Sequence, residues 1–144
     1  MTDLKGRACG VDYGKVRVGV AVSDELFSMA HPRPALDGTN RKALLAALCT
    51  LAETEGITTF VVGYPVEMGG AVGPAAERAE RFADALAAAS NKTVELLDER
   101  MTTVEASRRM SEAGKKKRAQ QSSIDSAAAA VLLQAWLDMR GRRK

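Results

Sequence analysis

The stretch ACGVDYGKVRVGVAV, residues 8–22, decides the fold. It contains two apolar runs, Ala8–Asp12 and Arg17–Val22, and each has the length and composition of a buried strand. The residues between them include Gly14 and are enough for a tight turn. The sequence therefore predicts a hairpin in which the first two strands of a sheet are antiparallel.

A third extended segment follows at Ala30–Leu36. It contains Pro32 and Pro34, which have no N–H to donate to a neighbouring strand. Proline is confined to edge strands for this reason. We expect this segment at the edge of the sheet or outside it.

The rest of the chain alternates between helical and extended patterns. The predicted elements are a helix between Asn40 and Gly56, a strand at Thr58–Val62, a helix opened by Pro74, a strand at Thr93–Leu97, a short helix from Thr102 to near Gly114, and a last helix from about Ser123 to Arg140. This order predicts an α/β fold with a mixed five-stranded sheet flanked by helices. At 144 residues, we expect a single domain over residues 1–144.

Composition argues against several classes of function. Hydrophobic residues make up 46% of the chain, enough for a core, while aromatic residues make up 4%, too few for a surface that stacks single-stranded bases. His31 is the only histidine, and Cys9 and Cys49 lack CxxC spacing. Zinc binding, a cysteine nucleophile and Ser-His-Asp chemistry are therefore disfavoured.

The charge is unevenly distributed along the chain. The net charge is +3, but residues 108–144 contain ten basic and three acidic residues, whereas residues 1–107 contain eleven and fifteen. A polyanion would meet the C-terminal part first, unless that part is a solvated tail. The first residues contain no apolar signal region, and no run approaches the ~18 apolar residues of a membrane span. We therefore expect a cytoplasmic protein with reduced thiols.

Three acidic positions lie where the apolar pattern favours another residue type. Asp12 ends the first strand on the face of Gly10, and Asp98 and Glu99 end the fifth strand with side chains on opposite faces. Asp125 lies on the stripe of the last helix that must pack on the sheet. Each position has an alternative structural role. Asp12 could hydrogen-bond its own backbone in a turn. Asp98 or Glu99 could form a salt bridge to Arg100 or place a charge at a helix N-terminus, and Asp125 could form a capping box with Ser122.

If these carboxylates converge, cations must neutralise them. Their oxygen-rich, histidine-free chemistry suits Mg²⁺ or Mn²⁺. Two such ions can activate a water and stabilise the leaving oxygen of a phosphodiester. The predicted reaction is therefore phosphodiester hydrolysis.

Several motifs together resemble one family. They are GVDYG at residues 10–14, RVGVAVSD at 17–24, FVVGYP at 60–65, MGG at 68–70 with Gly73 and Pro74, DERMTT at 98–103, and DSAAAA at 125–130. In this order they are similar to the YqgF/RuvX family, which is described as Holliday junction resolvases and as the nuclease that matures pre-16S ribosomal RNA. The resemblance covers nearly the whole chain and implies an RNase H-like fold.

The resemblance also implies roles for individual residues. The metal-binding and catalytic acids fall on Asp12, on Asp98 or Glu99, and on Asp125, with Glu99 favoured for the middle metal ligand. The polar residues that would contact phosphate are Arg17, Arg100, Thr102 and Thr103, although Arg17 could instead pair with a neighbouring carboxylate. The chain departs from the family at Val16, Tyr64 and Gly69, where lysine, leucine and aspartate are common. The loss of lysine at Val16 affects backbone binding and leaves the acids in place.

A basic run precedes the last helix: Lys115, Lys116, Lys117 and Arg118. Next to an acidic cluster, it would hold a phosphate backbone, and its alternative is a solvated loop.

The sequence thus predicts a cytoplasmic Mg²⁺- or Mn²⁺-dependent endonuclease that processes precursor 16S ribosomal RNA, acting as a monomer or homodimer. Branched DNA is the second substrate. The rival functions are an RNA- or ribosome-binding factor without turnover and an actin-like ATPase, for which 144 residues supply one lobe where two are needed.

Overall fold

The computed structural model describes residues 6–67, 69–102 and 121–142, and for residues 101, 121–125 and 141–142 it describes the backbone alone. The elements are β1 (Arg7–Asp12), β2 (Arg17–Ser23), β3 (Ala30–Asp37), α1 (Arg41–Glu55), β4 (Ile57–Tyr64), α2 (Pro74–Ser90), β5 (Thr93–Asp98), a 3₁₀ turn (Glu99–Met101) and α3 (Gln121–Arg142). None of the helices within these ranges has both the length and the apolar character needed to cross a bilayer. The short helix predicted from Thr102 to near Gly114 lies outside the described residues, apart from its first residue.

The five strands form one mixed sheet in the order β3-β2-β1-β4-β5. β1 and β3 are antiparallel to β2, and β4 is parallel to both β1 and β5. The predicted hairpin and the mixed sheet are therefore confirmed. β3 is at the edge, as Pro32 and Pro34 predict, because neither residue can donate to a further strand.

The helices α1 and α2 begin at the residues that the sequence predicts. The Asn40 side chain accepts a hydrogen bond from the Ala43 N–H at 3.0 Å and caps α1. Gly56 ends α1 in the left-handed conformation, with φ 70°. Pro74 occupies the first turn of α2, where its missing N–H costs no hydrogen bond.

Alternation along the strands separates two cores. Val11 and Phe60 face α1 and α2, together with Phe82 of α2. Ala8 and Val61 face the other way and pack against α3. The second core is thin, because its strand side chains are small and the helix comes close to the sheet.

α3 comes very close to the sheet at Gly10. A Cβ placed at Gly10 would lie 2.8 Å from Leu133 Cβ and 2.9 Å from the Ala129 carbonyl oxygen, so only glycine fits there. Further along α3, Leu137 packs in the same core as Ala8. The helix therefore runs antiparallel to β1, and its first turns lie at the edge where β1, β4 and β5 end, called the carboxyl edge below.

Candidate functional site

Asp12 is the last residue of β1, half-buried at the carboxyl edge. Ala8, Gly10 and Asp12 are two residues apart along β1 and therefore share one face of the sheet. Because Ala8 packs against α3, the Asp12 side chain leaves the sheet on the face that α3 covers. On β2 its partner is Gly19. On the other side, Val11 pairs with Val62 of β4, and one more residue of this parallel register brings Asp12 level with Gly63. Glycines thus flank Asp12 on both neighbouring strands.

Glu99 lies over Gly63. A Cβ placed at Gly63 would meet the Glu99 carboxylate, with Cδ at 3.2 Å and Cγ at 3.3 Å. Glu99 therefore reaches from the end of β5 across β4 on the α3 face, toward Asp12. Because adjacent strands are about 4.8 Å apart, Glu99 lies over the strand position next to Asp12, on the face to which the Asp12 side chain points.

Asp98 lies on the opposite face, where it forms an ion pair with Arg100. The Arg100 guanidinium donates to both carboxylate oxygens, with Nη2 at 2.7 Å from Oδ2, and the Arg100 N–H donates to Oδ1 at 2.9 Å. These contacts hold the pKa of Asp98 below its usual range. The Tyr64 hydroxyl donates to Glu80 on α2, which raises the pKa of Tyr64, and the charge of Asp98 adds to this effect. Asp98 is the register partner of Tyr64, so its side chain leaves the sheet on the same α2 side.

The backbone of Asp125 lies in α3, and the structure gives no position for its side chain. Its neighbour Ser126 is fully buried and accepts a hydrogen bond from the Val20 N–H at 3.1 Å. This contact brings the first turns of α3 to the carboxyl edge beside Asp12. The helix already includes Gln121 and Ser122, so Ser122 does not occupy the N-cap position that the capping-box alternative requires.

Arg17 is exposed at the start of β2, opposite Asp37 of β3. Hydrogen bonds from Thr39 hold the pKa of Asp37 low, and the charge of Arg17 contributes. A cavity of about 310 Å³, lined by Arg17, Leu36 and Asp37 among others, opens there. Arg17 thus has an acidic neighbour in Asp37.

The other predicted phosphate contacts are only partly described. Arg100 is exposed at the carboxyl edge, and its Nη1 lies near Gly70 of the β4–α2 loop, 3.6 Å from where a Cβ would be. The Thr102 hydroxyl donates to the Glu99 carbonyl oxygen at 3.0 Å, which closes the 3₁₀ turn. Thr103 and the basic run Lys115, Lys116, Lys117 and Arg118 lie outside the described residues.

The donor set fits a hard divalent cation. Asp12 and Glu99 offer carboxylate oxygens on one face, and the absence of a side chain at Gly63 leaves room for the Glu99 carboxylate. Among the residues with described side chains, no group of three or more acidic, histidine or cysteine residues could hold a metal ion. The third predicted ligand, Asp125, is not among them.

Sequence reasoning missed Gly63 and Ser126. Gly63 stands inside the FVVGYP motif, but its importance depends on a contact with Glu99, 36 positions later. Ser126 stands between Asp125 and a run of four alanines. A single hydroxyl in this apolar part of the helix is the signal that could have identified it.

Comparisons with known proteins agree with this fold. Residues 6–139 match the family described as "RuvX: Holliday junction resolvase". A Myxococcus xanthus (strain DK1622) protein named "Putative pre-16S rRNA nuclease" is 44% identical over 132 residues, which are 92% of this chain and 87% of the relative. A protein of the same name from Anaeromyxobacter sp. (strain Fw109-5) is 42% identical over 135 residues, 93% of this chain and 98% of the relative.

Among solved structures, the chain is similar to that titled "T. thermophilus RuvC in complex with Holliday junction substrate". The TM-score is 0.59 at 14% identity, and the match covers 94% of this chain and 96% of that one. At this identity the likeness concerns the fold alone. The fold is RNase H-like, as the motifs imply.

Proposed function

The chain belongs to the RuvX family, and we propose on this basis that it is a Mg²⁺- or Mn²⁺-dependent nuclease that processes precursor 16S ribosomal RNA. The observation that carries the proposal is the position of Asp12 and Glu99. Asp12 ends β1 and Glu99 directly follows β5, and these two strands are separated by β4, yet both residues lie on the face that α3 covers. The relatives named for pre-16S rRNA support the choice of substrate.

Each residue has a task in the proposed reaction. Asp12 and Glu99, with Asp125 from α3, would hold the metal. When bound, it supplies an activated water and stabilises charge on the phosphate oxygens. The half-buried positions of Asp12 and Glu99 limit competition from bulk water for their oxygens.

Arg100 would bind the substrate strand. Asp98 holds Nε and Nη2 of its guanidinium in a fixed orientation, while Nη1 makes no hydrogen bond within residues 6–67, 69–102 and 121–142. A phosphate at the carboxyl edge could accept from Nη1 beside Gly70. Asp98 thus acts as a positioning residue for Arg100, and Glu99 would hold the metal.

The test is cleavage of end-labelled precursor 16S RNA by the purified protein with Mg²⁺, Mn²⁺ or EDTA. We expect cutting that requires the metal. A shifted band that is never cut would instead support the rival function, an RNA-binding factor without turnover.

A second candidate substrate is branched DNA. The description of the matched family as Holliday junction resolvases favours it. A four-way DNA junction run beside the RNA, at equal concentration and with the same metals, separates the two. Faster cutting of the junction than of the RNA would replace the proposed substrate but keep the proposed chemistry.

A further inference from the structure

Ser126 is a buried hydroxyl in an otherwise apolar interface. Its side chain is 0% exposed, and the other buried residues of α3 between positions 126 and 140 are alanines, leucines and Trp136. Packing against small strand residues such as Ala21 needs no hydroxyl. A buried polar group normally persists because it meets a specific partner.

That partner is the backbone of β2. Ser126 Oγ accepts from the Val20 N–H at 3.1 Å, a contact between residues 106 apart in sequence. The pairing of β2 with β3 shifts its register between Val18 and Val20, and such a shift interrupts the ladder. The hydroxyl from α3 therefore satisfies a strand N–H at the point of the irregularity.

The contact lies next to Asp12. Val20 pairs with Val11, and the following pair is Asp12 with Gly19. Because α3 runs antiparallel to β1 with a rise of about 1.5 Å per residue, the backbone of Asp125 lies one step beyond Ser126 in the direction of Asp12.

We propose that Ser126 is a positioning residue, which sets the register of α3 on the sheet and so the distance between Asp125 and Asp12; this rests on the proposed function. Apolar packing at Gly10 holds the helix close to the sheet but has no direction along its axis. The hydrogen bond to Val20 supplies that direction at the end of α3 next to Asp125. The hydrogen bonds of Gln134 with Ala30 and of Trp136 with Glu95 lie at least two turns further along the helix.

The chain contains a matched control. Ser23 is also buried, at 1% exposure, and its Oγ accepts from the Ala8 N–H at 2.9 Å. Both serines satisfy a sheet N–H, but Ser23 ends β2 at the edge of the sheet opposite to Asp12. Loss of either hydroxyl should lower the melting temperature, whereas only Ser126 should affect metal binding.

The experiment is titration of Mn²⁺ by calorimetry into the wild-type protein, Ser126→Ala, Ser126→Cys and Ser23→Ala, with the melting temperature of each. We expect Ser126→Ala to bind Mn²⁺ about 10-fold more weakly, Ser126→Cys to be intermediate because sulfur is a weaker acceptor, and Ser23→Ala to bind as the wild type does.

Wild-type affinity in folded Ser126→Ala would overturn the positioning role, and Ser126→Cys would decide in the same way if the alanine variant does not fold. Equal weakening by Ser23→Ala would also overturn it, because the effect would then be general loss of stability. If the wild-type protein binds no Mn²⁺, the metal-dependent function fails and the positioning role fails with it. Binding by the wild type and by all the serine variants alike removes only the positioning role.

Discussion

At Gly63, the lack of a side chain decides where Glu99 can lie. The Glu99 carboxylate occupies the space that a Cβ would take, and it does so beside Asp12. No other residue type offers that space without moving the carboxylate. This glycine therefore determines where Glu99 lies in the candidate site.

Gly63→Ala should displace Glu99 and reduce metal-dependent cleavage by about 100-fold, because a shift of about 1 Å at a reacting centre costs that much. The measurement is the cleavage rate at saturating metal, with the melting temperature recorded alongside. Gly69→Ala is the matched control, since within residues 6–67, 69–102 and 121–142 no atom other than those of its chain neighbours lies within 4 Å of a Cβ at that position. Equal activity of the two variants would show that the Glu99 contact has no catalytic consequence.

The neighbours Asp98 and Glu99 should respond differently to loss of charge. Glu99→Gln should lower kcat by at least about 100-fold, since it removes a proposed metal ligand. Asp98→Asn should mainly raise KM, because Arg100 loses the carboxylate that orients it. Steady-state kinetics on the precursor RNA separate the two effects. The reverse pattern would make Asp98 the ligand.

At the scale of elements, the edge strand β3 is fastened to the end of α1 by an ion pair. Arg33 donates to Glu55 through Nη2 at 2.7 Å and Nε at 2.9 Å. The Arg33 hydrogen bonds lower the pKa of Glu55 from 4.5. Because the folded-state pKa lies below the unfolded value, the stabilisation is present above that value and is lost as the pH falls through the folded pKa.

Glu55→Gln should therefore lower the free energy of unfolding by about 1 kcal/mol at pH 7 and change it little at a pH below the folded pKa. Urea unfolding at pH 7 and at a series of lower pH values tests this. Glu53→Gln, exposed on the same helix, serves as the control. A cost of Glu55→Gln that is equal at both pH values would show that the ion pair does not contribute through its charge.

Local signals predicted most of the elements, because Asn40, Gly56 and Pro74 act through their own backbone. The proline pair of β3 also predicted its place at the edge. Alternation showed that Asp98 and Glu99 face opposite sides. It could not show which side Asp12 shares, because that depends on which helices cover each face.

Register was the other limit of prediction. The roles of Gly63 and Ser126 depend on contacts over 36 and 106 residues, and no local pattern encodes them. A β2–β3 register shift, which gives Ser126 its partner, leaves no local signature in the sequence.

For the whole molecule, charge distribution should govern nucleic-acid binding. The excess of basic residues lies after residue 107, and within it Lys115 to Arg118 precede the helix that begins at the carboxyl edge. The acidic residues of the site would repel a phosphate backbone unless bound metal ions or basic side chains neutralise their charge.

Replacing Lys116 and Lys117 by alanine should weaken RNA binding and reduce the salt dependence of the binding constant. Each phosphate contact that is lost should lower the slope of log K against log salt by about 0.7–0.9. Binding is measured by filter retention over a range of KCl concentrations. Lys92→Ala, at the opposite edge of the sheet, is the control. An unchanged slope would make the basic run a solvated loop.

The most direct test of the central claim is Mn²⁺-dependent cleavage of labelled precursor 16S RNA by the wild-type protein, Asp12→Asn and Asp125→Asn, with RNA binding and melting temperature measured on the same preparations. We predict that the wild type cuts, while both variants fold and bind the RNA but do not cut it. Cleavage at the wild-type rate by both variants would contradict the claim that carboxylates from β1, the end of β5 and α3 hold the metal together.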